Sequence, residues 1–183
     1  MFKNCFFSIV SIKLTNFVPI VHKVFSNVAS KYDIMNDVMS LGIHRIWKKH
    51  FISKLDPYSG TRLLDVAGGT GDIAFEFLDY TKQRGDNQSS VVVCDINESM
   101  MKVGKQRSIE KKLNDPSRLS WVHGDGLNLP FEDNSFDAYS VVFGIRNMVN
   151  LSKALDEAFR VLKPGGIFQC MEFSQVHNPL IKE

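Results

Sequence analysis

The segment Leu63-Leu64-Asp65-Val66-Ala67-Gly68-Gly69-Thr70-Gly71-Asp72 constrains this chain more than any other. An apolar run closes on an acid, passes through glycines and enters a helical pattern at Asp72. That order is how a parallel β/α unit brings bare main chain up to a nucleotide-like ligand. Glycine reaches φ > 0 and has no Cβ in the way, so backbone atoms approach the ligand closely. Gly69-Thr70-Gly71-Asp72-Ile73-Ala74 also satisfies the dinucleotide pattern G-x-G-x-x-G/A. On this segment alone, NAD and S-adenosylmethionine are both admissible.

Three later segments bear on the choice. Val91-Val92-Val93-Cys94-Asp95 reads as a buried parallel strand with Asp95 at its carboxyl end, where open α/β sheets hold their ligands. Asp95 lies 24 positions beyond Gly71, a suitable distance for a carboxylate that accepts both ribose hydroxyls. The competing role is a cap for the following helix, but Asn97 and Ser99 are available for that. Val122-His123-Gly124-Asp125-Gly126 is a further strand end, with Leu129-Pro130-Phe131 after it. An acid there can accept from an adenine amino group, although Gly-Asp-Gly taken in isolation is simply a turn. Arg160 to Gly166 is a helix stop and turn leading into an apolar strand from Ile167 to Phe173.

Together these segments resemble the class I S-adenosylmethionine-dependent methyltransferases. Asn27 to Asp37, Phe143-Gly144-Ile145-Arg146-Asn147 and Glu172-Phe173-Ser174 narrow the resemblance to the ubiquinone/menaquinone-biosynthesis C-methyltransferase family, over about Val24 to Leu180. The resemblance implies an α/β, Rossmann-like fold with a mostly parallel sheet and helices on both faces. It implies S-adenosyl-L-methionine as cofactor, held by Asp65, Gly68, Gly69, Thr70, Gly71, Asp95, Asp125 and Gly126. It implies C-methylation of a polyprenylated benzoquinol in ubiquinone synthesis. A mitochondrial place follows, peripheral on the matrix side of the inner membrane among other ubiquinone-biosynthesis proteins. A quinol carbon is a weak nucleophile until a ring hydroxyl loses its proton, so a base or a cation is expected near the ring. Arg146, Asn147 and Tyr32 are the candidates, with Asp33 beside Tyr32. The family sheet has seven strands, whereas this chain ends at Glu183, soon after the fifth. The expectation is therefore a domain lacking the last two strands, with an apolar edge and doubtful activity; an inactive form that binds cofactor or quinone-synthesis proteins is the alternative.

The remaining features set bounds. A chain of 183 residues with 44% hydrophobic and 23% charged content fits one soluble domain. A net charge of +2 gives no reason to invoke nucleic acid. Cys5, Cys94 and Cys170 show no paired spacing and read as small apolar residues; no metal site is expected. Residues 1–23 are basic, apolar and free of acids, consistent with a mitochondrial targeting segment, although they contain no Arg. The methyltransferase domain then runs over 24–183.

The periodicity predicts a helix or cap over Val24–Asn36 and helices over Gly42–Lys54, Asp72–Lys82, Glu98–Lys111 and Leu151–Leu162. Strands are predicted at Arg62–Val66, Ser90–Asp95, Leu119–His123, Ala138–Phe143 and Ile167–Phe173. Met100-Met101, Phe75 and Phe77 read as core, Trp47 and Trp121 as packing residues, and Lys48-Lys49 and Lys111-Lys112 as solvated faces.

Overall fold

Strands with apolar residues on both faces need cover on both sides, and alternation with helices supplies it. In the computed structural model, which describes residues 43–172, five strands form one parallel sheet in the order β3-β2-β1-β4-β5. In chain order the elements are α1 (Ile43–Leu55), β1 (Arg62–Val66), α2 (Asp72–Gln83), β2 (Ser90–Asp95) and α3 (Glu98–Glu110). They continue with β3 (Leu119–His123), β4 (Phe136–Val142), a 3-10 turn (Ile145–Asn147), α4 (Leu151–Val161) and β5 (Leu162–Met171). The targeting segment expected over 1–23, the helix expected over 24–36 and the Tyr32-Asp33 pair lie outside the described residues.

The strand order reverses beside β1, with β2 on one flank and β4 on the other. Ligands of open α/β sheets sit outside the carboxyl ends of the strands at such a switch point. On one face, Phe51, Ile52 and Leu55 of α1 and Ile73, Phe75, Phe77 and Leu78 of α2 bury Leu63, Val91, Val93 and Ala138. On the other, Ala158 and Val161 of α4, with Leu129, cover Leu64, Val66, Val92, Tyr139 and Val141. Asn97 caps α3 by accepting from the N–H groups of Ser99 and Met100, and Asn150 caps α4 through the N–H of Lys153. Met100, Met101, Phe75 and Phe77 are core, as their spacing predicts.

Two strands begin earlier than the sequence suggests. β4 starts at Phe136, and β5 starts at Leu162, ahead of the Pro-Gly-Gly read as a turn before the strand. Phe136 pairs with Leu162 and Ala138 with Ile167, so the turn is an excursion inside one strand, accommodated as a shift of register. Such a bulge tolerates Pro164, which has no N–H to give the ladder, and Gly165 takes φ 84 at its tip.

Candidate active site

Between β1 and α2 the main chain turns sharply. Ala67 has φ 55, Gly69 φ 53 and Gly71 φ 83, and the N–H of Gly71 donates to the carbonyl of Gly68 at 2.9 Å. Gly71 caps α2 without a side chain, so the turn presents main-chain groups at a helix N-terminus. The shape is held from behind by Trp121. A Cβ on Gly71 would stand 2.6 Å from the indole, and one on Gly104 of α3 would stand 2.3 Å from it. Trp121 thus packs into two positions that must lack a side chain, in keeping with its expected packing role.

Asp65 ends the apolar run of β1 with its side chain inside the protein, 1% exposed. Its Oδ1 accepts from the Ser140 hydroxyl at 2.7 Å, across the β1–β4 register that pairs the two residues. Its Oδ2 is buried and has no hydrogen-bond partner among the described residues. That oxygen lies under the turn, 2.6 Å from where a Cβ on Gly68 would be. Burial pushes the Asp65 carboxyl up to about 7; the Ser140 bond opposes this, Asp95 and Asp72 add to it, and Lys48 opposes it.

Asp72, the first residue of α2, pairs with Lys48 of α1 and with Arg107 of α3 at 2.9 Å. Burial works against its charge, but the two cations prevail and hold Asp72 below the usual carboxylate range. The Lys48 side chain is 12% exposed, which corrects its reading as part of a solvated face. Its stem runs between two packed helices and its charge finds Asp72 there, while Lys49, Lys111 and Lys112 are exposed as expected.

Asp95 is 8% exposed at the end of β2. Oδ2 accepts from the N–H of Gly69 at 2.8 Å and Oδ1 from that of Asn97 at 2.7 Å. Asp95 therefore ties the glycine turn to the β2–α3 loop, while the capping of α3 falls to Asn97. At the end of β3, Asp125 is exposed; its carboxylate accepts from the N–H of Leu127 at 2.9 Å, closing an Asx turn. A Cβ on Gly126 would lie 3.2 Å from Val66 and 3.0 Å from Met148, so this turn packs beside the end of β1. A shallow cavity of about 370 Å³ between α3 and His123 contains none of the predicted site residues.

Across the switch point, β4 leads into Phe143, which also has φ 55, and Gly144 packs so tightly on Ala67 that a Cβ would stand 2.5 Å from that of Ala67. Two non-glycine residues in the left-handed region at the ends of adjacent strands are backbone strain of the kind that collects at functional sites. Arg146 and Asn147 follow on the 3-10 turn, exposed at the carboxyl edge of the sheet. Arg146 Nη1 lies 3.1 Å from Glu172 Oε1, just beyond β5.

The sheet thus gathers Asp65, Gly68 to Gly71, Asp95, Asp125, Gly126, Arg146 and Asn147 along one edge. Ser140, Lys48 and Glu172 were not singled out from sequence as site residues. Ser140 had a signal: a hydroxyl among the apolar residues of β4, at the position opposite Asp65. Glu172 stands in a string that carries the family resemblance, but its pairing with Arg146 depends on how β5 docks, and Lys48 had no signal because its role depends on how α1 docks.

The family model for the ubiE/COQ5 methyltransferase family matches residues 12–183. A curated relative from Danio rerio, 2-methoxy-6-polyprenyl-1,4-benzoquinol methylase, mitochondrial, is 50% identical over 190 aligned positions, covering 88% of this chain and 58% of that protein. One of the same name from Arabidopsis thaliana is 51% identical, covering 89% of this chain and 60% of that protein. The chain therefore spans somewhat more than half the length of these curated relatives. Among solved structures, a SAM dependent methyltransferase from Aquifex aeolicus superposes with TM-score 0.59 at 19% identity, covering 72% of this chain and 66% of that one, a likeness of fold.

Proposed function

This chain belongs to the ubiE/COQ5 methyltransferase family, and on that premise we propose that it binds S-adenosyl-L-methionine and C-methylates a polyprenylated benzoquinol. The observation that carries the cofactor reading is the buried, unpartnered Oδ2 of Asp65 beneath a turn in which a side chain on Gly68 would not fit. A ligand bearing an ammonium group beside a compact nucleoside suits that arrangement. In this reading Gly68, Gly69, Thr70 and Gly71 bring main chain against the ligand, and Asp65 takes the ammonium directly or through water. Asp95 accepts the ribose hydroxyls, and Asp125 and Gly126 border the adenine.

The bound cofactor supplies an activated methyl group; the protein supplies position and charge. Loss of a proton from a ring hydroxyl to solvent water makes the neighbouring ring carbon nucleophilic, and that carbon's own proton passes to water once it carries the methyl group. Arg146, on the β4 side of the edge, stabilises the resulting phenolate, and Asn147 orients the hydroxyl or a water. The quinol substrate and the mitochondrial location are supported by the similarity to relatives named as mitochondrial benzoquinol methylases. Among the described residues no helix is long and apolar enough to cross a membrane.

Calorimetric titration with S-adenosylhomocysteine, followed by methyl transfer to a short-chain benzoquinol kept reduced, tests both halves. Absence of binding refutes the cofactor reading. Binding with methylation of other small acceptors and not of the quinol refutes the substrate.

A further inference from the structure

Asp65, Ser140 and Gln169 are register partners across β1, β4 and β5, so they form one polar row on the face covered by α1 and α2. Ala138 and Val142, the neighbours of Ser140 on that face of β4, are apolar. Ser140 is fully buried and gives its hydroxyl to Asp65 Oδ1; Gln169 turns its amide to the carbonyl of Phe51 at 2.9 Å. A serine in a strand interior gains little from packing, and an apolar residue of similar size would satisfy the sheet equally well. What it does here is grip one oxygen of a carboxylate whose other oxygen faces the glycine turn.

We infer that Ser140 is a positioning residue for ligand binding: by fixing Oδ1 of Asp65 from the neighbouring strand, it favours the ionised carboxylate over the neutral acid and aims Oδ2 at the ligand's ammonium group. The inference rests on the cofactor reading given above. A hydroxyl donor favours the charged form of a buried acid, whereas burial favours the neutral form, which accepts less well from a cation. The charged groups around Asp65 are Asp95 of β2, Asp72 of α2, Lys48 of α1 and, through Asp72, Arg107 of α3; the Cys94 thiol and the Tyr139 phenol also act on it, and burial raises both so that they stay neutral over the range tested. The two acids oppose ionisation of Asp65 and Lys48 favours it. Ser140 is its only hydrogen-bond donor among the described residues.

The test is titration of the whole chain with S-adenosylhomocysteine, which carries the same amino group, at several values between about pH 6 and pH 8.5. Each variant is expressed as a ratio to wild type at the same pH, so that the ligand's own titration cancels. Ser140→Ala should bind roughly tenfold more weakly at the acid end and approach wild type at the alkaline end, the deficit shrinking by about half a decade per pH unit around neutrality. Asp65→Asn should show the opposite trend, losing more relative to wild type as pH rises. Ser140→Thr, which keeps the hydroxyl, should hold the wild-type midpoint. A deficit in Ser140→Ala that is the same at every pH, or no deficit, overturns the inference, because lost packing has no pH signature. So does a threonine variant that follows alanine. Wild-type protein that does not bind at any pH overturns the cofactor reading itself, and the inference with it.

Discussion

Arg146 and Glu172 meet across the ends of β4 and β5, with Nη1 3.1 Å from Oε1 and the main-chain N–H of Arg146 3.4 Å from Oε2. The guanidinium is about half exposed while the carboxylate is largely buried. The acid is thus the fixed member, and the arginine is held by it at the rim where the substrate ring is proposed to lie. Arg146→Ala should lower the methylation rate on the order of 100-fold, the scale of losing one donor to a developing oxyanion. Its S-adenosylhomocysteine affinity should stay within about twofold. Equal losses in rate and affinity would make Arg146 a structural tie between the strand ends.

Asp95→Ala removes the acceptor for the N–H groups of Gly69 and Asn97 as well as the proposed ribose contact. Leaving such groups unpaired should weaken S-adenosylhomocysteine binding by about 1–3 kcal/mol. Calorimetry with adenosine and with 2′-deoxyadenosine separates the two losses. Wild type should prefer the ribose form and the variant should not; an unchanged preference assigns Asp95 to the loop alone.

The acid in β1 predicts a pH dependence of stability. Its folded-state value of about 7 lies above the ordinary 3.8, so between these values the folded chain holds a proton that the unfolded chain has lost. The stabilisation from that proton is complete below about pH 4 and disappears as pH rises through about 7. Asp65→Asn cannot ionise. Its melting temperature relative to wild type should therefore rise by several degrees between about pH 5 and pH 8, measured without ligand. A difference that stays constant over that range would show Asp65 to be ionised throughout.

Gly104→Ala should destabilise the chain by about 1–3 kcal/mol, because the new methyl meets the Trp121 ring and the Thr70 carbonyl in a filled space. Most of that cost should vanish in a Trp121→Leu background, giving a non-additive double-mutant cycle in urea unfolding. Additive costs would place the clash with Thr70 and not with the indole.

The elements that sequence located best are those whose signals are local. β1, β2 and β3 fall on their predicted residues because each apolar run is bounded by polar or turn residues. β5 was read five residues short, since Lys163-Pro164-Gly165-Gly166 carries every mark of a turn and only pairing with β4 shows that the strand runs through it. The same division holds at the site. Gly68 to Gly71 and Asp95 announce themselves by spacing along the chain. Lys48 pairs with a residue 24 positions away and Ser140 with one 75 away, across helix and strand neighbours that only the fold creates.

Trp121, pressed against Gly71 and Gly104, gives the protein an optical reporter of the turn proposed to hold the ligand. The chain has only two tryptophans, and the other, Trp47, stands on the outward part of α1. Replacing Trp47 with phenylalanine would leave emission from a single indole lodged behind the turn. Intensity and wavelength would then follow how firmly the turn is seated as ligand is added, with no dye and no label on the binding face.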